Sequence, residues 1–295
     1  MRLLPRSVWR LGAGTVAFAA FAACSDSTSP SSTLTQAEAN NVAEVVTTDA
    51  AQLPEGATFN SSTGVPFASG PMGAPVIDAS AAGCTPTKTP ASPANSDGDP
   101  VPDSVHVDFA GCTFTNGTYT ASLSGSIDFV DPTPTVTDRA LRTRYTNFTR
   151  SITNTATNET RSVKDNGTRT VVGSADALQF ADTMQTDYTF ATGATATHVR
   201  KWAASFTADQ AGSIQMGSPL PSGTLTINGS STYTSGTNNY SLSVSTNPAL
   251  HHNAGCTVQP RFDAGTLTAS VTKNGTTSHV TIQFTACGQY TVTRS

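Results

Sequence analysis

Residues 95–104 read NSDGDPVPDS, in which Asn95, Asp97, Asp99 and Asp103 alternate with small residues and two prolines stand close by. Oxygen-bearing side chains spaced this way around a tight turn converge on one point. That is what a hard cation such as calcium needs to collect its six to eight oxygen ligands. The same letters also suit an acidic turn ahead of a strand. Elsewhere the chain offers little to chemistry. It has no G-x-S-x-G elbow and no H-E-x-x-H helix. His251 and His252 are adjacent, and neighbours on a strand point to opposite faces, so the two cannot chelate a metal together. They read as a polar pair in the loop before Cys256. His106, His198 and His279 fall in alternating stretches and read as solvated or half-buried. No residue nominates itself as catalytic, and the expectation is a protein that is not an enzyme.

Charge is unevenly placed. Residues 89–138 hold seven aspartates and no Lys or Arg, whereas Arg139, Arg142, Arg144, Arg150, Arg161, Lys164 and Arg169 follow within 31 positions. One reading is a basic patch for an anionic envelope glycan or lipid headgroup. The other, which the alternation favours, is a solvated sheet face whose charges keep sheets from sticking edge to edge.

The elements that must carry these residues fall into two kinds. Thr35 with Glu38 forms a capping-box signature. Ala39, Val42, Val45, Val46, Ala50 and Leu53 then make a narrow apolar stripe at helical spacing, with Pro54 as its stop. Such a helix packs on a neighbouring domain through one face. Residues 54–100 are rich in Gly, Pro, Ser and Ala and read as irregular. From about residue 101 the period changes to two: Tyr119, Ala121, Leu123, Gly125, Ile127 and Phe129 share one face, with Thr, Ser and Asp on the other. Asn-Gly pairs punctuate the chain as type I′ turns do. A turn at Asn274-Gly275 sets Ala269 against Val280 and Leu267 against Ile282. One at Asn116-Gly117 sets Phe114 against Tyr119 and Cys112 against Ala121. Ala110-Gly111 reads as a bulge, Asn166-Gly167 as a third turn, and a further hairpin turns near Gly236 with Tyr233 opposite Tyr240. Asn228-Gly229 lies inside that hairpin and yields to it. The pattern predicts an all-β fold: a large antiparallel meander of ten to twelve strands, closed as a barrel, a sandwich or a curled sheet, with one N-terminal helix.

The N-terminal residues MRLLPRSVWRLGAGTVAFAAFAAC place Arg2, Arg6 and Arg10 ahead of an apolar run from Leu11 to Ala23. That run is too short to span a bilayer, and it reads as an export signal that is removed. FAAC at its end resembles the lipobox of bacterial lipoproteins, with Phe21 in place of the usual Leu. The resemblance implies a diacylglycerol thioether on Cys24 and, with Ser25 and Asp26 following, sorting towards the outer membrane. The alternative is ordinary cleavage after an A-x-A site at Ala20–Ala22. Five cysteines are present, Cys24, Cys84, Cys112, Cys256 and Cys287, and a lipid on Cys24 leaves four to pair in an oxidising compartment. Four cysteines allow three pairings; the local ones, Cys84–Cys112 and Cys256–Cys287, are expected. Removing residues 1–23 takes three arginines from the 16 basic residues and none of the 20 acids, which leaves a net charge of −7. So acidic a chain is a poor binder of nucleic acid.

NSDGDPVPD also resembles the calcium loops of thrombospondin type 3 repeats. The resemblance implies Asn95, Asp97, Asp99 and Asp103 as side-chain ligands with the Val101 carbonyl between them. It departs at the sixth position, where Pro100 replaces a turn glycine, and at the twelfth, where His106 replaces an acid. The expected organisation is a signal peptide over 1–23, a Ser/Thr/Pro tether over 24–34, a helix and irregular segment over 35–100, and a β domain over 101–295. The expected protein is an envelope lipoprotein acting as a non-enzymatic binding or structural module, with calcium as its candidate cofactor. A carrier of a hydrophobic ligand in a β-lined cavity is the alternative, and a hydrolase ranks last.

Overall fold

The computed structural model describes residues 33–57, 86–215 and 218–295, the side chains at 114 and 116 aside. Cys24, the lipobox, the tether up to residue 32 and Cys84 lie outside the described residues. Over the described residues the chain is all-β, with one helix, α1 (Gln36–Glu55), and a sheet of 14 antiparallel strands. These are β1 (Thr87–Thr89), β2 (Ser104–Asn116), β3 (Tyr119–Val130), β4 (Leu141–Asn154), β5 (Glu159–Gly173), β6 (Ala177–Thr189) and β7 (Thr195–Ala208). There follow β8 (Gly223–Ser235), β9 (Asn238–Thr246), β10 (Leu250–His252), β11 (Phe262–Ala264), β12 (Thr266–Lys273), β13 (Thr276–Ala286) and β14 (Gln289–Arg294). Sequential strands pair from β1 to β9, then β12 to β14, and the two ends of this path do not meet; β10 pairs with β8 and β11. The sheet is therefore curled and open, which selects among the three closures the sequence left standing.

Several hairpins follow the sequence. Ala269 opposes Val280 and Leu267 opposes Ile282, with Asn274 and Gly275 both at positive φ as a type I′ turn requires. Tyr233 opposes Tyr240, and Asn228-Gly229 sits inside β8. The bulge at Ala110-Gly111 is present between Phe109 and Cys112. Two turns differ. Asn116 pairs directly with Tyr119, so the turn is Gly117-Thr118 and the register moves by two, setting Cys112 against Leu123. Positive φ is adopted there at Gly117 alone, so an Asn ahead of it is not required in the turn. A shift of two preserves the faces, and the alternation could not detect it. Asn166-Gly167 is no turn. It lies within β5, where the Asn166 side chain accepts from the Asn147 amide across a bulge in β4. A Cβ on Gly167 would strike the backbone of Thr183 and Met184. The glycine serves close strand approach.

The capping box on α1 is formed: Glu38 N donates to Thr35 Oγ1 at 3.2 Å and Thr35 N to Glu38 Oε2 at 2.8 Å. Pro54 lies in the last turn and does not end the helix, which runs on to Glu55 and is capped at Gly56. So near the C-terminus a proline forfeits one helical hydrogen bond and disrupts no following turn. The expected stripe is buried, but the burial does not stop at one face. Every residue from Val45 to Glu55 is buried, including Thr47, Thr48, Asp49, Gln52 and Glu55. On one side α1 meets β12, β13 and β14; on another, side chains of β5, β6 and β7 bond to it. The helix is the core about which the sheet curls. A second apolar cluster, with Val105, Phe109, Ile127, Phe129, Leu141 and Phe148, is built mainly from β2, β3 and β4, with Val101 ahead of β2 and Met184 from β6.

The Cys256–Cys287 disulfide is present, with a sequence separation of 31. Cys112 is also disulfide-bonded. Gly125 marks the tightest crossing of β3 on β4: its φ is +86° and a Cβ would lie 2.1 Å from the Asn147 carbonyl oxygen. Gly125→Ala should lower unfolding stability by about 2 kcal/mol or more, read from urea titration; a change under about 0.5 kcal/mol would show that the crossing is pliable.

Candidate functional site

The inner faces of β4 to β7 carry charge in phase with their apolar residues. Arg150 stands between Phe148 and Ile152, Asp165 and Arg169 between Val163 and Val171, Asp182 between Phe180 and Met184, and His198 and Arg200 between Ala196 and Trp202. This corrects the expectation of a solvated basic face. Arg150 and Arg169 are buried; Arg142 and Arg144, which precede the bulge at Tyr145–Phe148 that reverses the phase of β4, are exposed. It also corrects His198, which is 0% exposed. The signal was in the sequence, since each charge occupies an apolar-phase position. It was passed over because a charge in a strand is ordinarily on the wet side.

These residues converge on α1. Asp49 receives Tyr188 Oη at 2.5 Å and Arg200 Nη1 at 2.8 Å on Oδ1, while His198 Nδ1 bonds to Oδ2. An ionised carboxylate only accepts, so His198 carries its hydrogen on Nδ1. Arg200 Nε reaches Asp182 Oδ2 at 2.6 Å, and Asp182 Oδ1 accepts Arg169 Nε at 2.8 Å. Arg169 Nη1 then donates to the Gln52 carbonyl at 2.5 Å. That bond caps the helix from a strand: α1 has no basic residue in its own last turn, and Arg169 supplies the positive charge its C-terminus favours. A Cβ at Gly56 would collide with this guanidinium. Alongside, Arg150 pairs with Asp165, and Thr186 links Asp165 to Arg200.

Three arginines thus face three aspartates. Burial works against every one of these charges. For Asp49 the Arg200 and His198 partners prevail and hold the carboxyl below its usual range. Burial prevails at Asp165 and raises it, despite Arg150 and Arg200. Burial and the adjacent Asp49 charge push the Tyr188 hydroxyl well up. An aspartate, a histidine and a tyrosine are in contact here, buried between helix and sheet: Asp49 and His198 are 0% exposed and Tyr188 5%.

The remaining histidines are likewise engaged. His251 and His252 lie on β10, a strand and not a loop. His251 binds Asp263 through Nδ1 at 2.6 Å and Asp209 through Nε2 at 3.0 Å, and these two bonds raise its pKa. With both nitrogens committed it has no lone pair to offer a reactant. His252 faces the other way, into the core by Phe206 and Phe262. Burial first, then the positive Arg261, lowers its pKa from 6.5 to about 4. His106 bonds Asp128 and His279 bonds Ser270.

The acidic stretch is a folded turn ahead of β2. Asn95 Oδ1 accepts the Gly98 amide at 2.8 Å, and its amide group bonds the Asp99 carbonyl. Asp103 is committed to Ser96, accepting its amide at 2.7 Å and its hydroxyl at 2.6 Å. Val101 is fully buried and donates its N–H to Asp99 Oδ1 at 2.6 Å. Asp97 and Asp99 instead converge with Asp131, at the end of β3, each offering an oxygen within 4.8 Å of the others. Burial, then the charges of Asp97, Asp131 and Asp138, raise the Asp99 pKa. Asp131 was missed because no short-range spacing links it to residue 99.

No protein-family model, no curated protein and no solved structure matches the chain.

Two expectations follow. Asp182→Ala leaves Arg169 and Arg200 facing each other without their shared carboxylate and should cost about 3–5 kcal/mol in urea unfolding; a loss below about 1 kcal/mol would mean that the bridge is dispensable. The second concerns His252. Its folded pKa lies below its unfolded value, so the stability it contributes as a neutral ring is complete above pH 6.5 and declines as pH falls towards 4. The stability difference between wild type and His252→Gln should shrink by roughly 3 kcal/mol across that window. Parallel pH curves would contradict it.

Proposed function

We propose that this protein is an exported, lipid-anchored envelope protein whose β domain is a non-enzymatic binding or structural module. The observation that carries the second half is the filled interior. The concave face of the sheet, where a carried lipid or a substrate would sit, holds α1 and its ion network. Among the described residues, the meeting of histidine, carboxylate and tyrosine at His198, Asp49 and Tyr188 is inside that seal. Binding is then a matter for the outer face, where rows of Ser and Thr accompany the exposed Arg142 and Arg144. Hydroxyls and guanidinium groups on a broad sheet suit an envelope glycan or an anionic headgroup. The anchor rests on the lipobox-like FAAC at Cys24, and the Cys256–Cys287 disulfide accords with an oxidising compartment such as the periplasm or cell surface.

Metabolic labelling with a clickable palmitate, followed by native mass spectrometry of protein extracted from its own membrane, tests the reading. Wild type should carry label and a diacyl mass and sediment with membranes; Cys24→Ser should be unlabelled and soluble. Equal labelling of the two would remove the anchor. A stoichiometric lipid retained by the Cys24→Ser protein would favour the carrier instead.

A further inference from the structure

Asp97, Asp99 and Asp131 do not belong to the interior network around Asp49. Asp99 and Asp131 are 5% and 2% exposed. Each of the three uses Oδ1 to shape its own turn: Asp97 accepts from the Asp99 amide at 3.1 Å, Asp99 from the Val101 amide at 2.6 Å and Asp131 from the Thr133 amide at 2.8 Å. The three Oδ2 atoms are buried and have no hydrogen-bond partner. Residues 89–138 contain no Lys or Arg, and among the described residues no cationic side chain pairs with any of the three. Asp138 adds a fourth negative charge nearby, where it accepts from the Thr133 hydroxyl. Three carboxyl groups that each place an oxygen within 4.8 Å of the others, and each keep a buried oxygen that no protein donor reaches, are held together at a steep electrostatic cost. Such an arrangement is relieved by a positive charge placed among them.

We propose that Asp97, Asp99 and Asp131 bind one divalent cation of hard-oxygen preference, calcium before magnesium. An all-carboxylate set favours hard cations over the softer metals that prefer sulfur or imidazole. Calcium accepts an irregular oxygen shell completed by water, whereas magnesium demands near-ideal octahedral geometry. The site differs from the ligand set that the loop's sequence resemblance implies, because Asp131 enters it and Asp103 does not. It also has a different mechanical role: it joins the turn ahead of β2 to the segment that leaves β3. Backbone bonds already align those segments, Asp131 N to the Asp103 carbonyl at 3.2 Å and Asp103 N to the Ala94 carbonyl at 2.9 Å. The proposal is independent of the lipid anchor and of what the outer face binds.

The test uses the full-length protein, stripped with a chelator and dialysed, then titrated with calcium or magnesium chloride by calorimetry and by thermal melting. Wild type should take up one calcium per chain with a Kd of ~0.1–1 mM, in the range of extracellular calcium modules, and melt a few degrees higher when loaded. Magnesium should bind more weakly. Asp131→Asn should weaken calcium binding at least about tenfold and abolish the thermal shift, while Asp103→Asn stays within about threefold of wild type. Stripped Asp131→Asn should melt no lower than stripped wild type, since one of the repelling charges is gone. If that variant does not fold, Asp97→Asn, at the more open side of the cluster, carries the same expectation. Wild type without heat or thermal shift would overturn the proposal. So would calcium binding lost in Asp103→Asn but kept in Asp131→Asn. Magnesium binding as tight as calcium would overturn the choice of ion.

Discussion

A carboxylate on a helix at the centre of the molecule, Asp49 at 0% exposure, is the constraint that the rest of the structure answers. An isolated buried charge is intolerable, so the sheet must bring partners to it. It does so through His198 and Arg200 on β7 and Tyr188 on β6, and each partner raises a further requirement. Arg200 calls for Asp182, Asp182 also holds Arg169, and Arg169 closes back on the helix at Gln52. The circuit therefore fixes the helix in depth and in rotation. A purely apolar contact would leave both looser, because apolar surfaces attract without direction.

The two ends of α1 repeat the theme in milder form. Glu38 accepts Lys273 Nζ at 2.7 Å and Tyr240 Oη at 2.6 Å, which hold its pKa at about 2 although burial opposes ionisation. At the other end Glu55 meets Gln259 and Arg261, but burial dominates and its pKa is raised. The helix is thus pinned at the start, middle and end by side chains from β5, β6, β7, β9, β12 and the segment before β11. Ion pairing here sets position more than it adds net stability, since desolvation consumes much of the attraction.

How much of this was legible follows from the range of the interactions. Type I′ geometry at Asn274-Gly275 is encoded by two residues, and so is the bulge at Ala110-Gly111, and both were readable. Register at Asn116-Gly117 was not, because a slip of two leaves every face unchanged. The fold class could be read from alternation alone; the curl could not, since it is set by a helix more than 100 residues away from the strands it organises. The candidate sites divide in the same way. Asp97 and Asp99 lie in one short stretch and were found. Asp131 joins them through space, and Arg150, Arg169, Asp182 and Arg200 needed the stricter rule that a charge in phase with apolar neighbours is inside.

The chain order of these partners has its own consequence. α1 precedes every strand that touches it, yet it is the element least able to stand alone, with a polar and ionic surface matched only to the finished sheet. Neighbouring strands can zip by local hairpins, whereas Asp49 must wait for His198, 149 residues later, and Leu34 for Arg294, 260 residues later. A chain that emerges N-terminus first exposes its keystone before the arch exists. Completion is therefore decided late: until β12 to β14 are laid down the helix has walls on some sides only, and a copy that stopped before β7 would be left with Asp49 as an unhoused charge instead of a smaller fold.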